Sequence, residues 1–100
     1  ALCLHVIDGG LKESQKAFID ERARSVNPAN EVIYHVMDPA IFTGYKLDYG
    51  NSYMTYARIL MGQLLSVDKV IYLDSDLLVG IDIAPLWQTD LGNNVAAAAQ

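Results

Sequence analysis

Two carboxylates stand two residues apart in Asp74-Ser75-Asp76, directly behind the mostly apolar run Lys69-Val70-Ile71-Tyr72-Leu73. In an extended chain, residues two apart project to the same side, so both carboxylates can face one ion. Hard oxygen donors suit Mg²⁺ or Mn²⁺, which proteins hold through a few carboxylates and the phosphates of a substrate. A cation placed there would bridge a diphosphate and stabilise the charge that develops as that group leaves. It would also relieve the repulsion between two neighbouring acids. A plainer reading stands beside this one, because turns recruit aspartate readily: one acid caps the turn and the other is solvated. The context favours the metal. Both acids are pinned between one apolar run and the next, Leu77-Leu78-Val79-Gly80.

Arg58 is the second candidate. It stands between Ala57 and Ile59-Leu60 in a helical pattern, where its stem could pack at the edge of an apolar face with its head in water. The other reading aims its fork of donors at a phosphate or a sugar hydroxyl. Tyr45, Tyr49, Tyr53 and Tyr56 crowd the stretch before it, as a platform for a sugar ring or as ordinary packing. His5 and His35 occupy matching places, each one residue before a valine. Neither has the neighbours that a metal site of several ligands needs, so both read as core or strand-end histidines. Cys3 reads as a small inert hydrophobe. No nucleophile elbow, Walker loop or Gly-x-Gly-x-x-Gly is present.

Elements that could position these residues follow from the apolar pattern. Leu2 to Ile7 reads as a strand covered on both faces, as in a parallel sheet. Asp8-Gly9-Gly10 breaks it. Residues 11–26 predict a helix, with Leu11, Phe18, Ile19, Ala23 and Val26 on its buried stripe and Lys12, Glu13, Lys16, Asp20, Glu21 and Arg24 mostly outside it. Asn27-Pro28 ends that helix. Glu31 to Met37 is a second strand, which completes a βαβ unit. Residues 40–51 read as a loop with one short turn, and Asn51 or Ser52 can cap a helix over Tyr53 to Ser66. The buried stripe of that helix is Met54, Ala57, Leu60, Met61, Leu64 and Leu65. Lys69 to Leu73 predicts a third strand, so Asp74 and Asp76 fall at its carboxyl end, where open α/β sheets keep their ligand crevice. Ile83 to Trp87 reads as a short helical turn around Pro85, and Val95 to Ala99 as a strand of small residues or the start of a further element.

Composition narrows the class. The 100 residues are 52% hydrophobic and 19% charged, which excludes a disordered tail and predicts a packed core. The net charge is −5, without a basic stripe, so a nucleic-acid surface is not expected. No run approaches the ~20 apolar residues of a membrane-spanning helix. One cysteine cannot form an internal disulfide, so nothing argues for an oxidising compartment, and the expected setting is cytoplasmic.

Four segments in order resemble the core of the family 8 glycosyltransferases: HVIDGG (5–10), TYAR (55–58), DKVIYLDSDLLV (68–79) and APLWQTDLGNN (84–94). That family includes bacterial lipopolysaccharide galactosyl- and glucosyltransferases and, more distantly, glycogenin. The resemblance implies an α/β GT-A fold, a Rossmann-like mixed sheet flanked by helices, of which residues 1–100 form the central portion of one domain. It implies transfer of a hexose from a UDP-sugar to a carbohydrate acceptor hydroxyl, with retention of configuration and with Mn²⁺ or Mg²⁺. Carried onto this sequence, Asp74 and Asp76 are the metal-binding pair. Asp74, the Ser75 backbone and Arg58 contact the donor, and no catalytic nucleophile is assignable. The family's first strand, which holds uracil and ribose, and its C-terminal histidine ligand fall outside this stretch. The expectation is therefore a 100-residue segment that transfers no sugar alone and exposes apolar sheet edges able to self-associate.

Two other classes fit parts of the pattern. A haloacid-dehalogenase-type phosphatase also follows an apolar strand with Asp-x-Asp, but Leu78 stands where it has Thr or Val, and its motif normally opens the domain. A non-catalytic nucleotide-sugar binding fragment would keep Asp74 and Asp76 without turnover.

Overall fold

The computed structural model describes residues 1–46 and 53–98. The chain forms two compact units, Ala1–Ser66 and the residues from Val67 onward. In the first, strand β1 (Cys3–Asp8) leads to helix α1 (Glu13–Val26), which returns to strand β2 (Glu31–Val36). The strands pair in parallel, with Cys3 opposite Glu31 and Asp8 opposite Val36. The Met37 N–H donates to the Asp8 carbonyl at 2.8 Å and carries the ladder one residue further. This is the expected βαβ unit, with β1 displaced by one residue toward Asp8.

Local chemistry explains each junction. The Asp8 carboxylate accepts the Gly10 and Leu11 N–H groups at 2.8 and 2.5 Å, while Gly10 takes a φ of +130° that a side chain would strain. At the start of α1, Gln15 Oε1 accepts the Lys12 N–H at 2.8 Å, and the Gln15 N–H returns to the Lys12 carbonyl at 3.0 Å. The Gln15 side chain thus satisfies the Lys12 N–H, which no helical carbonyl can reach, and the N-cap carbonyl takes the Gln15 N–H. Behind α1, buried Asn30 donates to the Ala23 carbonyl at 2.9 Å and accepts the Leu2 N–H at 2.8 Å. One side chain thus ties the helix end to the start of β1.

The buried face of α1 is the expected one only in part: Ala23 is buried and Ile19 half-buried, but the rest of the stripe differs. Phe18 and Val26 are 64% and 81% exposed. Lys16 instead reaches Asp8 at 3.0 Å, and Asp20 accepts the Tyr34 hydroxyl at 2.8 Å. Positions 16, 20 and 23 share one helical face, so the helix meets the sheet through polar contacts around Ala23. The expectation of strands covered on both faces is also corrected. Among the described residues this sheet has two strands, both edges, and Leu2, Leu4, Ile33 and Val36 remain exposed.

A 3₁₀ turn (Pro39–Phe42), capped by Asp38, leads out of β2. The expected helix over 53–66 begins as a 3₁₀ helix (Tyr53–Leu60) and tightens into one α-turn, α2 (Met61–Leu64). Three residues per turn line up Met54, Ala57 and Leu60 in one row, so the stripe survives the change of helix type. Ala57 joins Met37 and Phe42 in the buried core of this unit, with Ile7, Tyr56 and Leu64 packed around it. The row also comes close to Gly9, where a Cβ would meet the Met54 sulfur at 2.5 Å. Tyr49 and the expected caps Asn51 and Ser52 lie outside the described residues.

In the second unit, residues 69–73 form no strand among the described residues. An extended segment becomes a strand only through a paired neighbour, and apolar β-branched content alone does not supply one. Residues 95–98 likewise form no strand; Ala99 lies outside the described residues. The expected turn at Pro85 is present as α3 (Ala84–Trp87), with the Asp82 carboxylate accepting the Ala84 N–H at 2.9 Å.

Candidate functional site

The Asp-x-Asp pair occupies a turn. The Leu77 N–H points back to the Asp74 carbonyl at 3.4 Å, and Ser75 and Asp76 are its two central residues. This replaces the extended geometry expected at 74–76, because aspartate and serine stabilise a reversal as soon as the apolar run ends. Both carboxylates are exposed. Asp74 Oδ1 accepts the Tyr72 hydroxyl at 2.8 Å, which steadies the first acid from two residues upstream. The turn continues into Leu77 and Leu78, and Leu78 is 96% exposed.

Two acids are an incomplete shell. No group of three or more His, Cys, Asp or Glu side chains is placed to hold a metal ion among the described residues. The donor set still fits a hard cation, since Mg²⁺-type ions are commonly bound through one or two carboxylates with substrate phosphates and water completing the shell.

Arg58 lies in the first unit, exposed on the 3₁₀ helix, with its Nε donating to the Thr55 carbonyl at 3.1 Å. Its apolar neighbours divide: Ala57 is buried and Ile59 is exposed. Around it the tyrosines pack on one another. Tyr45 meets Tyr56 edge-on at 5.1 Å, both lean on buried Phe42, and the Tyr56 hydroxyl donates to the Lys46 carbonyl.

Three features were not anticipated. His5 and His35 meet across the strands, with Nδ1 of one and Nε2 of the other 2.9 Å apart and the rings nearly parallel. The register sets His5 opposite Ile33 and His35 opposite Ile7, so the two rings meet on the diagonal, which their matching place before valine did not signal. Cys3 is exposed, with its sulfur 3.5 Å from His5 Nε2, instead of buried in a core. Lys69 reaches from the head of the apolar run to the carbonyls of Trp87 and Thr89, each at 2.6 Å. Its only mark in the sequence is a charge at the start of a hydrophobic segment.

A family model described as glycosyl transferase family 8 matches residues 1–100. The chain belongs to that family. Among its relatives, glycosyltransferase GlyE of Streptococcus pneumoniae is 47% identical over 49 residues, which are 49% of this chain and 12% of that protein. The probable galacturonosyltransferase-like 6 of Arabidopsis thaliana is 49% identical over 49 residues, 47% of this chain and 14% of that protein. The probable galacturonosyltransferase 14 of the same plant is 40% identical over 50 residues, 49% of this chain and 9% of that protein. The chain thus spans a small part of the relatives it matches. No solved structure matches it at a significant level. No helix among the described residues is long and apolar enough to cross a membrane.

Proposed function

We propose that this chain is the donor-binding part of a retaining glycosyltransferase of GT-A architecture that moves a hexose or hexuronic acid from a UDP-sugar to a carbohydrate hydroxyl. The observation that carries this reading is the exposed Asp74-Ser75-Asp76 turn closing an apolar segment, in a chain of family 8. Asp74 and Asp76 would hold Mn²⁺ or Mg²⁺. When bound, such a cation neutralises the diphosphate that leaves with the nucleotide. The Ser75 backbone would approach the nucleotide, and the guanidinium of Arg58 would pair with a diphosphate or sugar oxygen through its fork of donors. The names of the plant relatives support a uronic acid as one candidate sugar; a bacterial glycan such as lipopolysaccharide supplies the other class of acceptor.

The test is donor cleavage by the intact protein. Incubation with UDP-glucose, UDP-galactose or UDP-galacturonic acid and Mn²⁺ should release the sugar from one donor, with the product in the α-configuration of the donor by NMR. Arg58→Ala should lower kcat/KM by about 10²-fold, the scale for losing one electrostatic contact to developing charge. Release of the β-anomer contradicts retention. Release that is indifferent to Asp76→Asn contradicts the assignment of the site.

A further inference from the structure

We propose that Lys69 is a positioning residue for the Asp74-Ser75-Asp76 turn, a role that rests on reading that turn as the cation and diphosphate site. Lys69 opens the extended segment that ends at Asp74. Its ammonium donates to the carbonyls of Trp87 and Thr89 at 2.6 Å each, and it lies 5.4 Å from the centre of the Trp87 ring. The short helix α3 leaves carbonyls at its end that no helical N–H can reach, and a lysine near such an end is a suitable donor. Two short charge-assisted hydrogen bonds and a cation–π contact converge on one side chain. They join the stretch before the acids to the turn that follows them.

This join matters because residues 69–73 have no strand ladder among the described residues. The segment is held by side chains: Lys69 anchors its head, and the Tyr72 hydroxyl meets Asp74 at its tail. Removing the ammonium leaves the carbonyls of Trp87 and Thr89 without this donor and releases the head of the segment. The two acids then keep their identity and lose their fixed placement. Groups that orient metal ligands without touching the metal are worth a factor in affinity of their own.

The experiment is a titration of the intact protein with Mn²⁺ alone, following the free aqua ion by electron paramagnetic resonance, with thermal unfolding of every variant alongside. Lys69→Met should weaken Mn²⁺ binding by about tenfold, the low end for such supporting groups. Lys69→Arg, which keeps the charge and the donors, should recover most of it. Should Lys69→Met fail to fold, Lys69→Gln is compared with Lys69→Arg in the same way. Unchanged affinity in the neutral variant, with Asp76→Asn losing binding, overturns the role of Lys69 and leaves the metal site standing. A variant Lys69→Arg that restores thermal stability but not affinity also overturns it, because a purely structural tie would explain both results. Mn²⁺ binding that survives Asp76→Asn removes the underlying reading instead.

Discussion

Among the described residues, four aspartates are engaged with backbone N–H groups at turns: Asp8 with Gly10 and Leu11, Asp38 with Ala40, Asp82 with Ala84 and Asp90 with Gly92. Asp8 is the most constrained. It is 2% exposed, and the Leu11 and Gly10 N–H groups together with the Lys16 ammonium hold its carboxyl down from 3.8 to about 2. A depressed carboxyl stabilises the fold fully above its unfolded value, and that contribution disappears as the pH falls through the folded value. The advantage of the native protein over Asp8→Asn in urea midpoint should therefore be full near neutral pH and shrink between about pH 4 and pH 2. An advantage unchanged down to pH 2 would show that the carboxylate does not act through its charge. Lys16 is raised by the same contact. Tyr34 is pushed up to about 12, first by burial and then by the hydrogen bond to Asp20, so its contribution is present below its ordinary value and is lost as the pH rises through about 12.

At the scale of elements, the strand, helix and strand of the first unit were legible because each had a local signal: apolar runs, Asp-Gly-Gly, and Asn-Pro. The face that α1 buries was legible only in part, at Ile19 and Ala23. Phe18 and Val26 are apolar but stand on the outer side, whereas Lys16 and Asp20 find partners that only the folded sheet supplies. The same holds for residues 69–73, whose composition suits a strand but whose pairing depends on a neighbour. Asn30 illustrates a contact with little signal in the sequence, since a polar residue before a strand reads as loop. Its side chain bridges the Ala23 carbonyl and the Leu2 N–H. Asn30→Ala leaves both groups without that partner and should cost about 1–3 kcal/mol of stability, measured by chemical denaturation. A loss within experimental error would mean that water replaces the amide.

At the scale of the molecule, the candidate site was read from residue type and order, and its backbone geometry was not legible. Asp74 and Asp76 were singled out by their spacing behind an apolar run, and Ser75 by the family resemblance; all three are exposed, and their backbone is a turn, not the tip of a paired strand. Arg58 belongs to the first unit and the acids to the second. Nucleotide binding is the property that the acids are proposed to serve. The decisive measurement is calorimetric titration of UDP into the intact protein, with Mn²⁺ and then with EDTA, for the native sequence and for Asp76→Asn. The account predicts binding with Mn²⁺ that EDTA abolishes and that Asp76→Asn weakens by at least about tenfold. UDP binding of equal strength with EDTA, or in Asp76→Asn, would contradict it.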